Sequence, residues 1–187
     1  MHDIGSETLH GKRITLRRFR VDDAEAMYQN WATDSRVTDT VTWEPHRTRD
    51  ETRSLLKAWV KTYHEPWTYR WAIETKEGTL VGSIDFVSFS VEHRRGEVGY
   101  CLAYDYWNQG ITTEALKLLI AFMFERVGIN RIEARYLVKN PASGRVMEKA
   151  GMQQEGVHRQ QVFMKGAYRD MGRYAILKQD YENMINR

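Results

Sequence analysis

The stretch of this sequence best suited to chemistry is Trp107-Asn108-Gln109-Gly110-Ile111-Thr112-Thr113-Glu114. It lies between a strand-like segment and a long apolar segment of helical period, so it reads as a strand-to-helix loop. The first turn of a helix carries main-chain amides without intrahelical partners, and the helix dipole adds partial positive charge there. Phosphate or pyrophosphate is the natural guest of such a turn. Gly110 lets a ligand approach the backbone closely, while Thr112 and Thr113 offer hydroxyls as donors or caps. By spacing alone, a plain connection is the competing reading. The loop is neither a P-loop nor a dinucleotide fingerprint, since G-x-x-x-x-G-K-[ST] and G-x-G-x-x-G are both absent. A second block runs from Asn140 to Met152. Asn140 ends a strand and Ser143 falls in the first turn of the following helix, near where parallel strands splay and ligands bind. Local capping by Asn and Ser is the alternative.

Composition narrows what those residues can serve. With 187 residues, 42% hydrophobic and 28% charged, the chain has ordinary globular usage and fits one domain, with its core over about residues 9–180. No apolar run approaches the roughly 20 residues of a membrane helix, and the polar N-terminus lacks the apolar stretch of a signal peptide, so a cytoplasmic location is expected. One cysteine, Cys101, excludes disulfide scaffolds and cysteine metal clusters, and none of the six histidines is spaced as a ligand pair, so no metal is expected. The net charge of +3 is too small for a dedicated nucleic-acid binder, yet compatible with one anionic pocket. A nucleotide- or RNA-binding domain built on the 107–113 loop and the arginines remains a distinct reading, marked by steep salt dependence.

The elements that must position these residues follow from periodicity. Lys12 to Arg18 alternates as a strand, and a helix follows over Asp22 to Ala32. Thr48-Arg49-Asp50-Glu51 is a capping box that starts a helix running to about Tyr63. Strands are expected over Thr68 to Thr75 and Thr79 to Ser90, joined at Lys76-Glu77-Gly78, with a third and longest antiparallel partner over Glu97 to Ala103. Thr112 to Val127 is a helix so apolar that it must be buried on most sides. Arg131 to Val138 alternates with Ile132, Ala134, Tyr136 and Val138 inward, and Ala142 to Ala150 is a short helix closed by Gly151. Two last strands, Val157 to Met164 and Arg169 to Leu177, meet at Lys165-Gly166. The order β-α-α-β-β-β-α-β-α-β-β predicts an α/β (α+β) fold with a mixed, mostly antiparallel sheet of about seven strands and helices on both faces.

Five ordered motifs bear a family resemblance: Ile14-Thr15-Leu16-Arg17, Glu97-Val98-Gly99-Tyr100, Gly110-Ile111-Thr112-Thr113-Glu114-Ala115, Asn140 to Met152, and Gly166 to Asp170. Across roughly Leu9 to Asp180 the chain resembles the GNAT superfamily of acetyl-CoA-dependent N-acetyltransferases, and within it the RimJ/RimL type that acetylates ribosomal-protein N-termini. The resemblance implies acetyl-CoA as co-substrate, with its pyrophosphate on the main-chain amides of Trp107 to Thr113 and its pantetheine alongside Leu102 and Ala103. The family loop reads Gln/Arg-x-x-Gly-x-Gly/Ala. Here Trp107 stands at the Gln/Arg position, Thr112 at the final small residue, and Asn108 where a glycine is common. The implied activity is direct acetyl transfer to a primary amine, above all a protein N-terminal α-amino group such as that of a ribosomal protein. A catalytically silent acyl-CoA-binding module, or an acetyltransferase for a small amine such as a polyamine or antibiotic, is the alternative. A homodimer is compatible with the resemblance, and no membrane or direct nucleic-acid partner is expected.

Acyl transfer requires a neutral amine, a polarised carbonyl and a proton for the departing thiolate. Glu97 is the expected base, since it starts the central strand on the face of Gly99 and Cys101; a cross-strand-paired carboxylate is the alternative. The resemblance to RimL-type enzymes implies Ser143 as the acid near the sulfur, with Asn140 fixing the pantetheine or a water, and a cap is the competing role for Ser143. Cys101 is expected to be a core residue. Trp31, Trp43, Trp59 and Trp67 either line an acceptor groove or pack the core. Arg13, Arg17, Arg18 and Arg20, flanking the first strand, and Arg94-Arg95 in a turn read as solvated basic faces, with contact to ribosomal RNA or the CoA 3′-phosphate as the alternative.

Overall fold

A computed structural model describes residues 1–186, which fall into two compact units. The first contains Asp3–Asp85 and Tyr100–Leu118; the second contains Met1–His2, Phe86–Gly99 and the chain from Leu119 onward. Eight strands are present: β1 (Leu9–His10), β2 (Ile14–Arg17), β3 (Arg70–Thr75), β4 (Leu80–Ser90), β5 (Arg95–Leu102), β6 (Arg131–Leu137), β7 (Gln153–Met164) and β8 (Ala167–Leu177). The helices are α1 (Ala24–Met27), α2 (Ser35–Thr38), α3 (Arg49–Thr62), α4 (Ile111–Phe122), α5 (Pro141–Lys149) and α6 (Lys178–Ile185). The strand order is β1-β2-β3-β4-β5-β6-β8-β7. The mixed sheet has its parallel pairing between β5 and β6, where Arg95 to Val98 face Arg131 to Ala134. The expected α/β class therefore holds, with one strand more than the expected seven. The two-residue β1 is too short to show alternation.

In the first unit, the helical stretch expected over Asp22 to Ala32 is a 3-10 turn (Val21–Asp23), then α1, then a π-helical turn (Tyr28–Ala32). The Thr48 hydroxyl accepts from the Glu51 amide at 3.1 Å and starts α3. The Glu51 carboxylate reaches back to the amide of Arg47 at 2.7 Å, one residue before the cap position that a strict capping box uses. Phe19, Met27, Trp31, Val37, Leu56 and Leu80 form the core, with Trp43, Trp59 and Trp107 packed against it. Trp31, Trp43 and Trp59 thus serve packing. The basic-face reading fails for Arg17, which is only 8% exposed. Its Nη1 and Nη2 donate to Asp23 at 2.8 and 2.9 Å, and its Nε and Nη2 donate to Glu74 at 2.9 and 2.8 Å.

In the second unit, α5 packs on β6 and β8, and α6 packs on β8. The inward alternation of β6 holds through Ile132 and Ala134, then breaks: Leu137 is buried and Val138 is 42% exposed. The strand ends at Leu137, and the Val138 amide turns to the Asp170 carbonyl at 3.1 Å. At eight residues β5 is shorter than the 11 of β4, so it is not the longest strand of the meander. Tyr136 occupies a slot between two glycines. A Cβ on Gly172 would lie 2.1 Å from its ring, and one on Gly144 would lie 3.0 Å away.

Candidate active site

Leu102 ends β5 and the chain turns through a 3-10 turn, Tyr104–Tyr106, into the loop that begins α4. The Ala103 amide donates to the Val81 carbonyl at 2.7 Å, and the Trp107 indole Nε1 donates to the Leu102 carbonyl at 2.8 Å. Trp107 packs against the core and 5.0 Å from the Tyr104 ring, so the residue that departs from the family pattern ties the loop to the strand. Asn108 and Gly110 both adopt left-handed backbone, with φ of 60° and 76°. Asn tolerates that region better than most residues, which explains why it can stand where a glycine is common. The Glu114 amide bonds to the Gly110 carbonyl at 3.1 Å and opens the helix.

Among the described residues, the amides of Asn108 to Thr113 have no main-chain partner. Asn108, Gln109 and Gly110 are exposed while Ile111 and Thr112 are buried, so the loop opens to solvent over 108–110, at the positive end of a helix whose body is buried. Unpartnered amides at the start of a helix are the kind of arrangement that suits an anion. The underside of the loop is braced. The Arg13 amide and Nε each donate to the Glu114 carboxylate at 2.8 Å, and Arg13 Nη1 donates to the Gln109 carbonyl at 2.5 Å. Burial pushes the Glu114 carboxyl up, but the bonds from Arg13 outweigh it and hold the group below the usual carboxylate range. Sequence reasoning placed Arg13 on a solvated face. No local pattern links it to a partner 101 positions away.

The second unit holds Glu97, Asn140 and Ser143. Asn140 takes the cap position of α5, with Pro141 at the first turn, but its side chain makes no capping bond. Capping is therefore not what its amide does. The Ser143 amide donates to the Asn140 carbonyl at 3.2 Å. Glu97 has its two carboxylate oxygens paired, Oε1 with Arg135 Nε at 2.8 Å and Oε2 with Arg173 Nη1 at 3.0 Å. Its side chain is 12% exposed. This is the cross-strand-paired arrangement that the sequence left beside the role of base: both oxygens are engaged by cations.

Cys101 donates to or accepts from the Ser83 hydroxyl at 3.3 Å, and burial pushes its thiol up to about 11. A thiol of ordinary pKa, near 8.5, is largely ionised at pH 9, whereas this one stays protonated and inert. Alkylation by iodoacetamide at pH 9 is expected to be at least tenfold slower than in the urea-unfolded chain, and equal rates would contradict the assignment. The unfolded chain sheds this proton at lower pH than the folded one, so stability is expected to fall as pH rises from about 8.5 towards about 11. No group of metal-ligating side chains occurs among the described residues, and none of their helices is long and apolar enough to cross a membrane.

Residues 13–153 match the family model described as an acetyltransferase (GNAT) domain. The chain is 33% identical over 173 residues to the uncharacterized N-acetyltransferase YoaA of Bacillus subtilis (strain 168), covering 91% of this chain and 96% of that protein. It is 29% identical over 129 residues to the ribosomal-protein-serine acetyltransferase of Escherichia coli (strain K12), covering 69% and 72% of the two chains. A GNAT-family acetyltransferase from Bacillus anthracis superposes with a TM-score of 0.81 at 27% identity, over 92% of this chain and 99% of that one. With the model match spanning well over half the chain, the protein belongs to the GNAT acetyltransferase family and is an N-acetyltransferase.

Proposed function

We propose that the protein moves the acetyl group of acetyl-CoA directly to a protein N-terminal α-amino group. The observation that carries this reading is the run of amides from Asn108 to Thr113 without main-chain partners at the start of α4, exposed over Asn108 to Gly110. Its row of outward donors suits the diphosphate of CoA. Similarity to a ribosomal-protein acetyltransferase supports the acceptor class.

Acetyl-CoA supplies an activated acyl group. In this reading Asn108, Gln109, Gly110, Ile111, Thr112 and Thr113 bind the phosphates and Leu102 and Ala103 flank the pantetheine, while Trp107, expected among the phosphate donors, anchors the loop instead, its amide donating to the Tyr104 carbonyl at 3.0 Å and its indole to the Leu102 carbonyl at 2.8 Å. The Leu102 carbonyl and Ala103 amide already have protein partners, so those two residues contribute surface and shape more than free hydrogen-bonding groups. The amine nitrogen attacks the thioester carbonyl carbon, the carbon–sulfur bond breaks, and the amine proton is lost as the thiolate gains one. Ser143 is the proposed proton donor to that sulfur, with Asn140 orienting the pantetheine or a water. A free α-amine has a pKa of about 7.7–8.0 against about 10.4 for lysine, so water can take its proton near neutrality. Glu97 then anchors Arg135 and Arg173 rather than acting as base.

Two experiments follow. Glu97→Gln is expected to lower kcat by less than about tenfold with the pH profile unchanged, whereas a loss of about 10²–10⁴ with a lost pH limb would make Glu97 the base. CoA thiol release is then compared for a peptide with a free N-terminus, the same peptide α-acetylated but carrying lysine, and spermidine. The free N-terminus is expected to be the best acceptor. Preference for spermidine would move the assignment to small amines, and CoA binding without release from any amine would make the protein an acyl-CoA-binding module.

A further inference from the structure

Arg13 enters β2 far from α4 in sequence, yet its side chain and amide make three hydrogen bonds to the loop and first turn of that helix. Two of them hold the Glu114 carboxylate, and the third, from Nη1, holds the Gln109 carbonyl. The C=O and N–H of a trans peptide point in opposite directions. Drawing the Gln109 oxygen onto the guanidinium therefore turns the Gly110 N–H to the outer side, among the unpartnered amides. The guanidinium also lies over Gly110: a Cβ built there would sit 3.3 Å from Arg13 Nη2. A side chain at 110 would meet both the left-handed backbone and this clamp, so the glycine and the arginine form one device.

We propose that Arg13 is a positioning residue for phosphate-bearing ligands, holding the 108–113 amides in binding geometry through Gln109 and Glu114. The inference rests on the reading that this cradle receives the diphosphate of CoA. Preorganised donors bind more tightly than donors that must be ordered on binding, so loss of the brace falls on affinity for the phosphorylated part of the ligand. The planar fork matters as well as the charge. Nε and Nη1 diverge at fixed angles to reach a carboxylate and a carbonyl together, which a lysine ammonium on a flexible stem does not reproduce.

The test uses the full chain with calorimetric titration of CoA and of pantetheine, which lacks the phosphates. Arg13→Gln and Arg13→Lys are each expected to raise the Kd for CoA by about 10–100-fold, with pantetheine binding changed less than about threefold. In turnover, the loss is expected in KM for acetyl-CoA more than in kcat. Glu114→Gln, which keeps the shape and weakens the clamp, is expected to give a smaller shift in the same direction. A general folding defect would weaken CoA and pantetheine alike and overturn the proposal. Wild-type affinity in Arg13→Lys would reduce the role to charge and also overturn it. Wild-type protein that binds no CoA removes the cofactor reading and the brace with it. Tight CoA binding by wild type and by both Arg13 variants removes the brace alone.

Discussion

Arg17→Ala is expected to destabilise the protein by about 3–5 kcal/mol, because it strips two carboxylates of one shared buried cation. Asp23 and Glu74 lie in the first unit at 11% and 25% side-chain exposure, and Arg17 donates to both through four short hydrogen bonds. Burial works against the Arg17 charge, but the hydrogen bonds to Asp23 and Glu74 more than restore it, so the guanidinium is protonated at every accessible pH. The alanine variant has no such compensation. Asp23 also accepts from the Arg20 amide at 2.7 Å and so fixes the entry to the first helical stretch. For a chain of this size the loss corresponds to a Tm lowered by roughly 6–20 °C. Arg17→Lys is expected to recover only part of it, since one ammonium cannot serve both carboxylates with fork geometry. A Tm within 2 °C of wild type for Arg17→Ala would show that the network contributes little.

Gly172→Ala is the second large effect, and it acts by overpacking. The added methyl would stand 2.1 Å from Tyr136 Cε1 and 2.5 Å from Cζ. The ring has little room to retreat, because a Cβ at Gly144 on α5 would already be only 3.0 Å from the same ring. Tyr136 also packs 5.9 Å from the Tyr174 ring. A forced shift of this kind costs about 1–3 kcal/mol. In a Tyr136→Ala background the penalty of Gly172→Ala should vanish, so a double-mutant cycle in urea unfolding isolates the clash. Additive effects of the two substitutions would contradict it. Because α5 carries Asn140 and Ser143 at its start, the single variant is also expected to slow turnover.

The extent to which the fold and site could be read beforehand follows from the range of the interactions. The apolar period of α4 is local, so its burial and the strand-to-helix loop before it were legible from Leu116, Leu119, Ile120 and Met123. The Thr48 cap lies within four residues of its partner and was equally clear. Three short or polar elements were missed. β1 has two residues, α2 is one turn capped by Asp34, and α6 is mostly polar. The state of Glu97 was not legible, since its partners come from β6 and β8 and only strand register brings them together. The Arg13 brace has the same origin: Arg13 precedes β2, and the loop it supports precedes α4. Val138 was expected inward because alternation cannot show where a strand ends. For Asn140 the type and place leave a ligand contact and a cap both open, and the structure shows no cap bond from its side chain.

The most direct test of the account is acetyl transfer itself, followed by mass spectrometry with isotopically labelled acetyl-CoA and a peptide whose lysines are absent. The predicted result is one labelled acetyl group on the α-nitrogen, with one CoA thiol released per product. Failure of any amine, peptide or polyamine, to acquire the label while the folded protein is present would contradict the proposed transfer.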